Sequence, residues 1–307
     1  MNVYEQINDN IRSTWFILAG FVLFFLFIGI GFDFLYGVGI PAFSVFALIF
    51  GGASAYAGYL WGDKLVLSST QARPVDPANL KEKQWQNVVE EMSIAAGIPV
   101  PAVYVIDDPD PNAFATGRAP ECSSIAVTSG LLDTLDRDEL QAVAAHEMSH
   151  IRNFDIRLML IVAVLAGSVV LISDWARRSL FYGRRRDSRS DTSAAMVVLA
   201  IWLITVILAP IFSQIMAMFV SRRREYLADA SGAELTRNPL ALAGALEKIH
   251  SHAGPTRSIS RGTAHLCIED PQGRRLNSKE GWFAELFATH PPLEKRIEAL
   301  KQMAYLK

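Results

Sequence analysis

The sequence predicts an α+β protein in which a multi-span, α-helical membrane part carries one compact polar domain on one side of the bilayer. Two observations predict it. Of 307 residues, 51% are hydrophobic and only 20% charged, with a mean hydropathy of +0.22, which is more apolar than an ordinary soluble chain of this length. The apolar residues are also gathered into four stretches, and these interrupt two blocks that mix helical periodicity with short β-type runs. A net charge of -2 and a pI near 6.3 leave no global basic surface, so no nucleic-acid partner is expected. Cys122 and Cys267 stand apart without C-x-x-C spacing and read as free thiols.

Residues 15–32 carry no charge and are just long enough to cross roughly 30 Å of hydrocarbon at about 1.5 Å per residue. No small-x-small cleavage site follows them, so the stretch is read as an uncleaved anchor. Residues 38–61 form a second apolar run, with 33–37 as the turn between the two. Gly51, Gly52, Ala55 and Gly58 have a helical spacing that permits close helix contact. Residues 1–62 are therefore expected to be a membrane anchor of two helices.

Residues 63–155 begin the polar domain. Trp85, Val88, Val89 and Met92 fall on one face of a helix over 81–96, which Gly97, Pro99 and Pro101 end. Residues 103–106 and 124–128 read as short strands. Between them, N-A-F-A-T-G at 112–117 has two readings: an edge strand to which an extended peptide could add, or a loop that packs Phe114 into the core.

Asp136 and Glu139 have capping-box spacing, and they open a helix that contains H-E-M-S-H at 146–150. On a helix, residues four apart share a face, so His146 and His150 can reach one tetrahedral zinc ion. Glu147 then lies beside the open position, where it can take a proton from the attacking water and pass it to the leaving amine. By composition alone such a motif arises by chance in roughly half a per cent of chains like this one. The domain is accordingly expected to be zincin-like.

Residues 156–220 hold the third and fourth apolar stretches, at 158–172 and 194–220, with an Arg-rich loop between them: Arg177, Arg178, Arg184, Arg185, Arg186 and Arg189. A hydrolytic zinc site usually has three protein ligands, so one remains to be found. A metzincin site would need Gly at 153 and His at 156, where this chain has Asn153 and Ile156. The best remaining candidate is Glu225. Asp229, one turn later, could accept a hydrogen bond from the outer nitrogen of a ligand histidine. Taken alone, the pair reads better as a helix surface answering Arg222, Arg223 and Arg224. If Glu225 does join the histidines, the two apolar stretches must cross the membrane an even number of times or not at all. His250, His252 and His265 lie in a Ser, Gly and Arg-rich stretch and read as solvated loop residues. Residues 221–307, closing on a helix with Leu293, Ile297 and Leu300 in one stripe, complete the domain.

Four ordered segments carry a resemblance: N-A-F-A-T-G at 112–117, H-E-M-S-H-I-R-N-F-D at 146–155, R-R-R-E-Y-L-A-D-A at 222–230 and T-H-P-P-L-E-K-R-I at 289–297. With them the chain resembles the HtpX family of integral-membrane zinc metalloproteases, relatives of the CaaX prenyl proteases. The resemblance implies a gluzincin domain binding one zinc ion through His146, His150 and Glu225, with Asp229 as the outer partner of a ligand. It implies Glu147 as the base and His290 as a stabiliser of the tetrahedral intermediate, where a bland reading makes His290 part of a turn. It also implies that Asn112, Ala113, Phe114 and Ala115 form the strand that receives substrate. The expected activity is endopeptidase cleavage of misfolded or membrane proteins near the membrane surface, with protein substrates and the lipid bilayer as partners. The implied location is a bacterial or archaeal inner membrane with the catalytic domain cytoplasmic, although the Arg-rich loop would by the positive-inside rule claim that side for itself. Two other activities stay open: processing of prenylated or short hydrophobic peptides, and a non-catalytic scaffold stabilised by zinc.

Overall fold

The computed structural model describes residues 3–36, 40–165, 200, 204, 222–252, 258–259, 263, 266–269 and 291–305. The chain enters through α1 (Val3–Tyr36) and returns through α2 (Ala42–Ser69). The two run antiparallel, with Gly29 against Ser44, Gly51 against Phe25 and Trp15 against Tyr59. Among the described residues, these are the two helices long and apolar enough to cross a membrane. Their 34 and 28 residues span roughly 50 and 42 Å, longer than the roughly 30 Å of a hydrocarbon core. Phe16, Leu23, Phe27, Phe46 and Ile49 point outward and are exposed, a surface that suits lipid.

The break between the helices falls later than the expected turn at 33–37. Asp33 lies within α1, and its carboxylate accepts the N–H groups of Phe43 and Ser44, both at 2.9 Å. The reason is local. The residue before α2 is Pro41, which gives no side-chain cap, so the free amides of the first turn take a carboxylate from the neighbouring helix.

The third apolar stretch begins as α6 (residues 155–165), which packs on this hairpin. Gly58 and Gly62 lie against Val164 and Leu160, and a Cβ on Gly58 would come within 2.8 Å of Val164 Cγ1. Two small residues thus give α6 its seat on α2. Residues 166–199 and nearly all of the fourth stretch lie outside the described residues.

The polar domain is built on a four-stranded sheet of β1 (Arg73–Pro74), β2 (Ala102–Ile106), β3 (Ala113–Gly117) and β4 (Ser123–Thr128), in the order β1-β2-β4-β3. β2 and β4 are parallel and the other pairs antiparallel. Alternate side chains of β4 serve two cores. Ile125 and Val127 face α3 (Leu80–Ala96) and α5 (Arg137–Arg152), where Trp85, Val88, Val89 and Met92 are buried as their spacing predicts. Ala126, with Ile106 and Phe114, packs instead on Val66 and Leu67 of α2 and on Met159 and Leu160 of α6. The sheet is therefore held between α3 and α5 on one face and the ends of α2 and α6 on the other.

The short α4 (Ser129–Thr134) leads into α5, which opens on the Asp136–Glu139 capping box. Further along the chain come α7 (Arg222–Thr236), α8 (Pro239–Ser251) and α9 (Leu293–Tyr305). Leu293 and Leu300 of α9 are buried in the main core with Ile297 packed against it. One expectation is corrected here. His250 belongs to the last turn of α8 rather than to a loop, though its side chain is exposed as expected, and it pairs with Glu269 at 2.7 Å. His265 lies outside the described residues. Cys122 is exposed and Cys267 buried, and the two are not joined in a disulfide.

Candidate metal centre

His146, Glu147 and His150 occupy the last two turns of α5, and all three are buried. The Nε2 atoms of the two histidines face each other at 3.2 Å. α7 crosses this helix and brings Glu225 to the same point, with Oε1 3.6 Å from His150 Nε2 and Oε2 3.8 Å from His146 Nε2. Gly232 allows the approach. A Cβ there would stand 3.0 Å from the backbone nitrogen of His146, so the cost of a helical glycine, about 1 kcal/mol against alanine, is traded for contact between the two helices.

The outer nitrogen of each histidine is engaged by a carboxylate: His146 Nδ1 by Asp229 Oδ1 at 3.0 Å and His150 Nδ1 by Asp155 Oδ2 at 2.9 Å. With the Nδ1 of His150 hydrogen-bonded to Asp155 and that of His146 turned toward Asp229, the two Nε2 atoms face each other. Two acceptors at 3.2 Å beside a carboxylate need a cation between them. Ligands held at about 2.0–2.1 Å on a tetrahedral ion stand roughly 3.3 Å apart, close to the spacing found. Charge leads to the same point. Glu147, Glu225, Asp155 and Asp229 are buried carboxylates, answered by buried Arg296 and by Arg224, whose side chain is 12% exposed. Four against two leaves an excess of two negative charges, which a dication balances. Burial alone would depress the pKa of His150, yet the hydrogen bond to Asp155 and the charges of Glu225, Asp155 and Glu147 push it up to about 9. Among the described residues, His146, His150 and Glu225 are the group able to hold a metal, their donor atoms lying within 4.8 Å of one another.

Three residues near this point carried no expectation from sequence. Asp155 stands outside the helical register of the motif. The chain reaches it through Phe154 at φ 59, a left-handed turn that folds the carboxylate back onto His150. Arg296 is 1% exposed and grips Asp229 through Nε and Nη2 at 2.8 and 2.7 Å, while Nη1 stands 3.4 Å from Glu225 Oε2. Both residues stood within quoted motifs, but neither had a spacing argument to single it out. Asn10 of α1 donates to Asp155 Oδ1 at 2.6 Å, a link between segments 145 residues apart that no local pattern encodes.

β3 runs along the edge of the sheet over Glu147, whose carboxylate accepts a hydrogen bond from the Ala115 backbone. The two readings of 112–117 prove compatible, since Phe114 is buried at 1% exposure on a strand that is also an edge. Yet this edge already has an occupant. Ile268 N–H donates to Ala113 O at 2.9 Å, Phe114 and Cys267 form an antiparallel bridge, and Asn112 Nδ2 donates to Glu269 O at 2.9 Å. Arg296 Nη1 holds Ile268 O at 3.0 Å. His290 lies outside the described residues.

The family model described as "Peptidase family M48" matches residues 79–304, the span that holds every residue of this centre except Asn10. The chain belongs to peptidase family M48. It is thus a metalloprotease, a hydrolase of peptide bonds. The chain is 44% identical to the "Protease HtpX homolog" of Caldanaerobacter subterraneus subsp. tengcongensis, with 98% of each chain covered. It is 38% identical to that of Limosilactobacillus fermentum, covering 98% of this chain and all of that one. Its fold is similar to the crystal structure of S. mikatae Ste24p, with a TM-score of 0.52 at 16% identity over 96% of this chain and 66% of that one. M48 membership implies a metal, and the donor set found here fits one.

Proposed function

We propose that the chain is a membrane-bound zinc endopeptidase that cuts unfolded stretches of membrane or misfolded proteins close to the bilayer. The observation that carries this reading is the convergence of two imidazoles, each with a carboxylate at its outer nitrogen, and Glu225 beside the buried carboxylate of Glu147. Zinc held by His146, His150 and Glu225 would supply Lewis acidity, polarising the scissile carbonyl and making water easier to deprotonate. Burial raises the pKa of Glu147, against the opposing charges of His146 and His150, the direction a general base working near neutrality needs. Glu147 takes the proton of the water whose oxygen bonds to the carbonyl carbon, and it delivers that proton to the amine nitrogen as the C–N bond breaks. Asp229 and Asp155 keep the ligand imidazoles in one tautomer. His290 retains its proposed role toward the tetrahedral intermediate.

Placement near lipid is supported by the hydrogen-bonded path from His150 through Asp155 to Asn10, since Asn10 lies only five residues, roughly 8 Å of helix, before Trp15. Glu225 returns to the side that His150 left, so residues 156–220 cross an even number of times or form a shallow hairpin. This reading divides the chain at 62, 155 and 220 into anchor, first catalytic part, membrane hairpin and second catalytic part, and proposes a bacterial or archaeal cell with the catalytic parts in the cytoplasm. A structural site would be closed by a fourth protein ligand, and among the described residues the cluster has three. The test uses the detergent-purified, zinc-loaded chain and an unfolded membrane-protein loop, with products mapped by mass spectrometry. Cuts at several sites that stop with phenanthroline are expected. A single cut at a prenylated terminus would favour the processing reading, and no cut with zinc bound would favour the scaffold.

A peptide that pairs antiparallel with β3 needs the edge now held by residues 266–268. Substrate therefore displaces this segment, and weakening its hold should speed turnover. Ile268→Pro removes the N–H donated to Ala113 and should raise kcat/KM on an unfolded substrate severalfold. Ile268→Ala, which keeps the N–H, should do less. A fall in kcat/KM for Ile268→Pro with an unchanged melting temperature would make the segment part of the substrate floor instead.

A further inference from the structure

We infer that Asn10, near the start of the membrane helix α1, is a positioning residue for the metal ligand His150 and acts through Asp155. The inference rests on the metal site proposed above. Asn10 is polar yet only 4% exposed, so its amide needs partners, and the ones it has are informative. Nδ2 donates to Asp155 Oδ1 at 2.6 Å and to the Asn153 carbonyl at 2.9 Å, while Oδ1 accepts from Arg224 Nη1 at 3.3 Å. The other oxygen of Asp155 engages His150 Nδ1 at 2.9 Å. One carboxylate thus bridges a membrane helix and a metal ligand. Asn153 caps the C-terminus of α5, and Arg224 precedes Glu225. A single amide therefore ties α1 to the end of the helix that bears both histidines and to the start of the helix that bears the third donor.

The residue type suits the place. An asparagine presents a donor to the carboxylate and an acceptor to the guanidinium, which neither an acid nor a base of that length could do. Without it, Asp155 Oδ1 is left to Arg224, whose Nε stands 3.7 Å away, and the carboxylate is free to turn away from His150. The first membrane helix is then part of the metal site as well as its anchor.

The test measures zinc affinity on the metal-stripped full-length chain in detergent, by competition with a chromophoric chelator. Asn10→Leu keeps the volume and loses both hydrogen-bonding functions. It should raise the apparent zinc Kd about 3- to 10-fold, somewhat less than the roughly 10- to 100-fold cost of losing a direct outer partner. The deciding measurement is a double-mutant cycle. In an Asp155→Asn background, Asn10→Leu should add less than two-fold, and the visible spectrum of the cobalt-substituted protein should change in both single variants. A residue that merely fastens α1 would add its whole factor in either background, and that result overturns the inference, as does an Asn10→Leu Kd within two-fold of the parent. Asn10→Asp, of equal size but without the donors, answers the same question if Asn10→Leu does not fold. A parent chain that binds no zinc would refute the metal site itself, an outcome distinct from an unchanged Asn10 variant.

Discussion

Glu147→Gln is expected to leave zinc in place and to reduce peptide hydrolysis by at least about 100-fold, within the roughly 10²- to 10⁴-fold range of a positioned general base. The substitution is close to isosteric, and the amide oxygen can still accept the Ala115 N–H that the carboxylate accepts now. His146, His150 and Glu225 are untouched, so the metal-binding donors remain. What is lost is the ability to hold a proton between water and amine. Removing one buried negative charge weakens the pull on the cation, but all three donors remain, so zinc content should hold when the metal is supplied in excess. Parent and variant are to be compared for zinc by atomic absorption and for casein cleavage on the same preparations. Activity within a few-fold of the parent would remove Glu147 from the role of base.

The parts of this centre that were legible in the sequence are those with short spacing. His146, Glu147 and His150 lie within one helical turn, and the Asp136–Glu139 box marks where that helix begins, so local rules place them. Glu225 and Asp229 were visible only as a pair at helical spacing. Nothing local says that α7 lies across α5, because that depends on Gly232 meeting the backbone of His146. Asp155 was hidden by the left-handed Phe154, which breaks the helical register just before it. Arg296 was hidden by its chemistry: an arginine in a polar-looking helix reads as solvated, and its burial is explained by Asp229, Glu225 and the Ile268 carbonyl, all distant in sequence. Of the apolar stretches, the first two are helices as expected but with the turn between them misplaced, since Asp33 looks like a loop residue until the opposite helix supplies amides for it to cap.

Glu225→Ala should weaken zinc binding by more than the roughly 10- to 100-fold cost of losing an outer partner, because it removes a donor and one of the charges that attract the cation. The fold should survive. Arg296, the buried cation nearest Glu225, keeps its two short hydrogen bonds to Asp229 and is not left unpaired. Asp229→Ala has the opposite profile. His146 and Glu225 remain available to the metal, so affinity falls less, but Arg296 loses its main partner in a dry interior, and an unpaired buried charge costs about 3–5 kcal/mol. That guanidinium is also drawn toward Glu225, 3.4 Å away, in competition with the metal. The expected order of zinc affinity is parent, then Asp229→Ala, then Glu225→Ala, whereas the order of melting temperature for the metal-free proteins is parent, then Glu225→Ala, then Asp229→Ala. Both orders are read from dialysis against graded chelator concentrations and from thermal unfolding of the stripped proteins. Equal zinc content in all three would rule Glu225 out as a ligand, and equal melting temperatures would mean that Asp229 does not hold Arg296 in place.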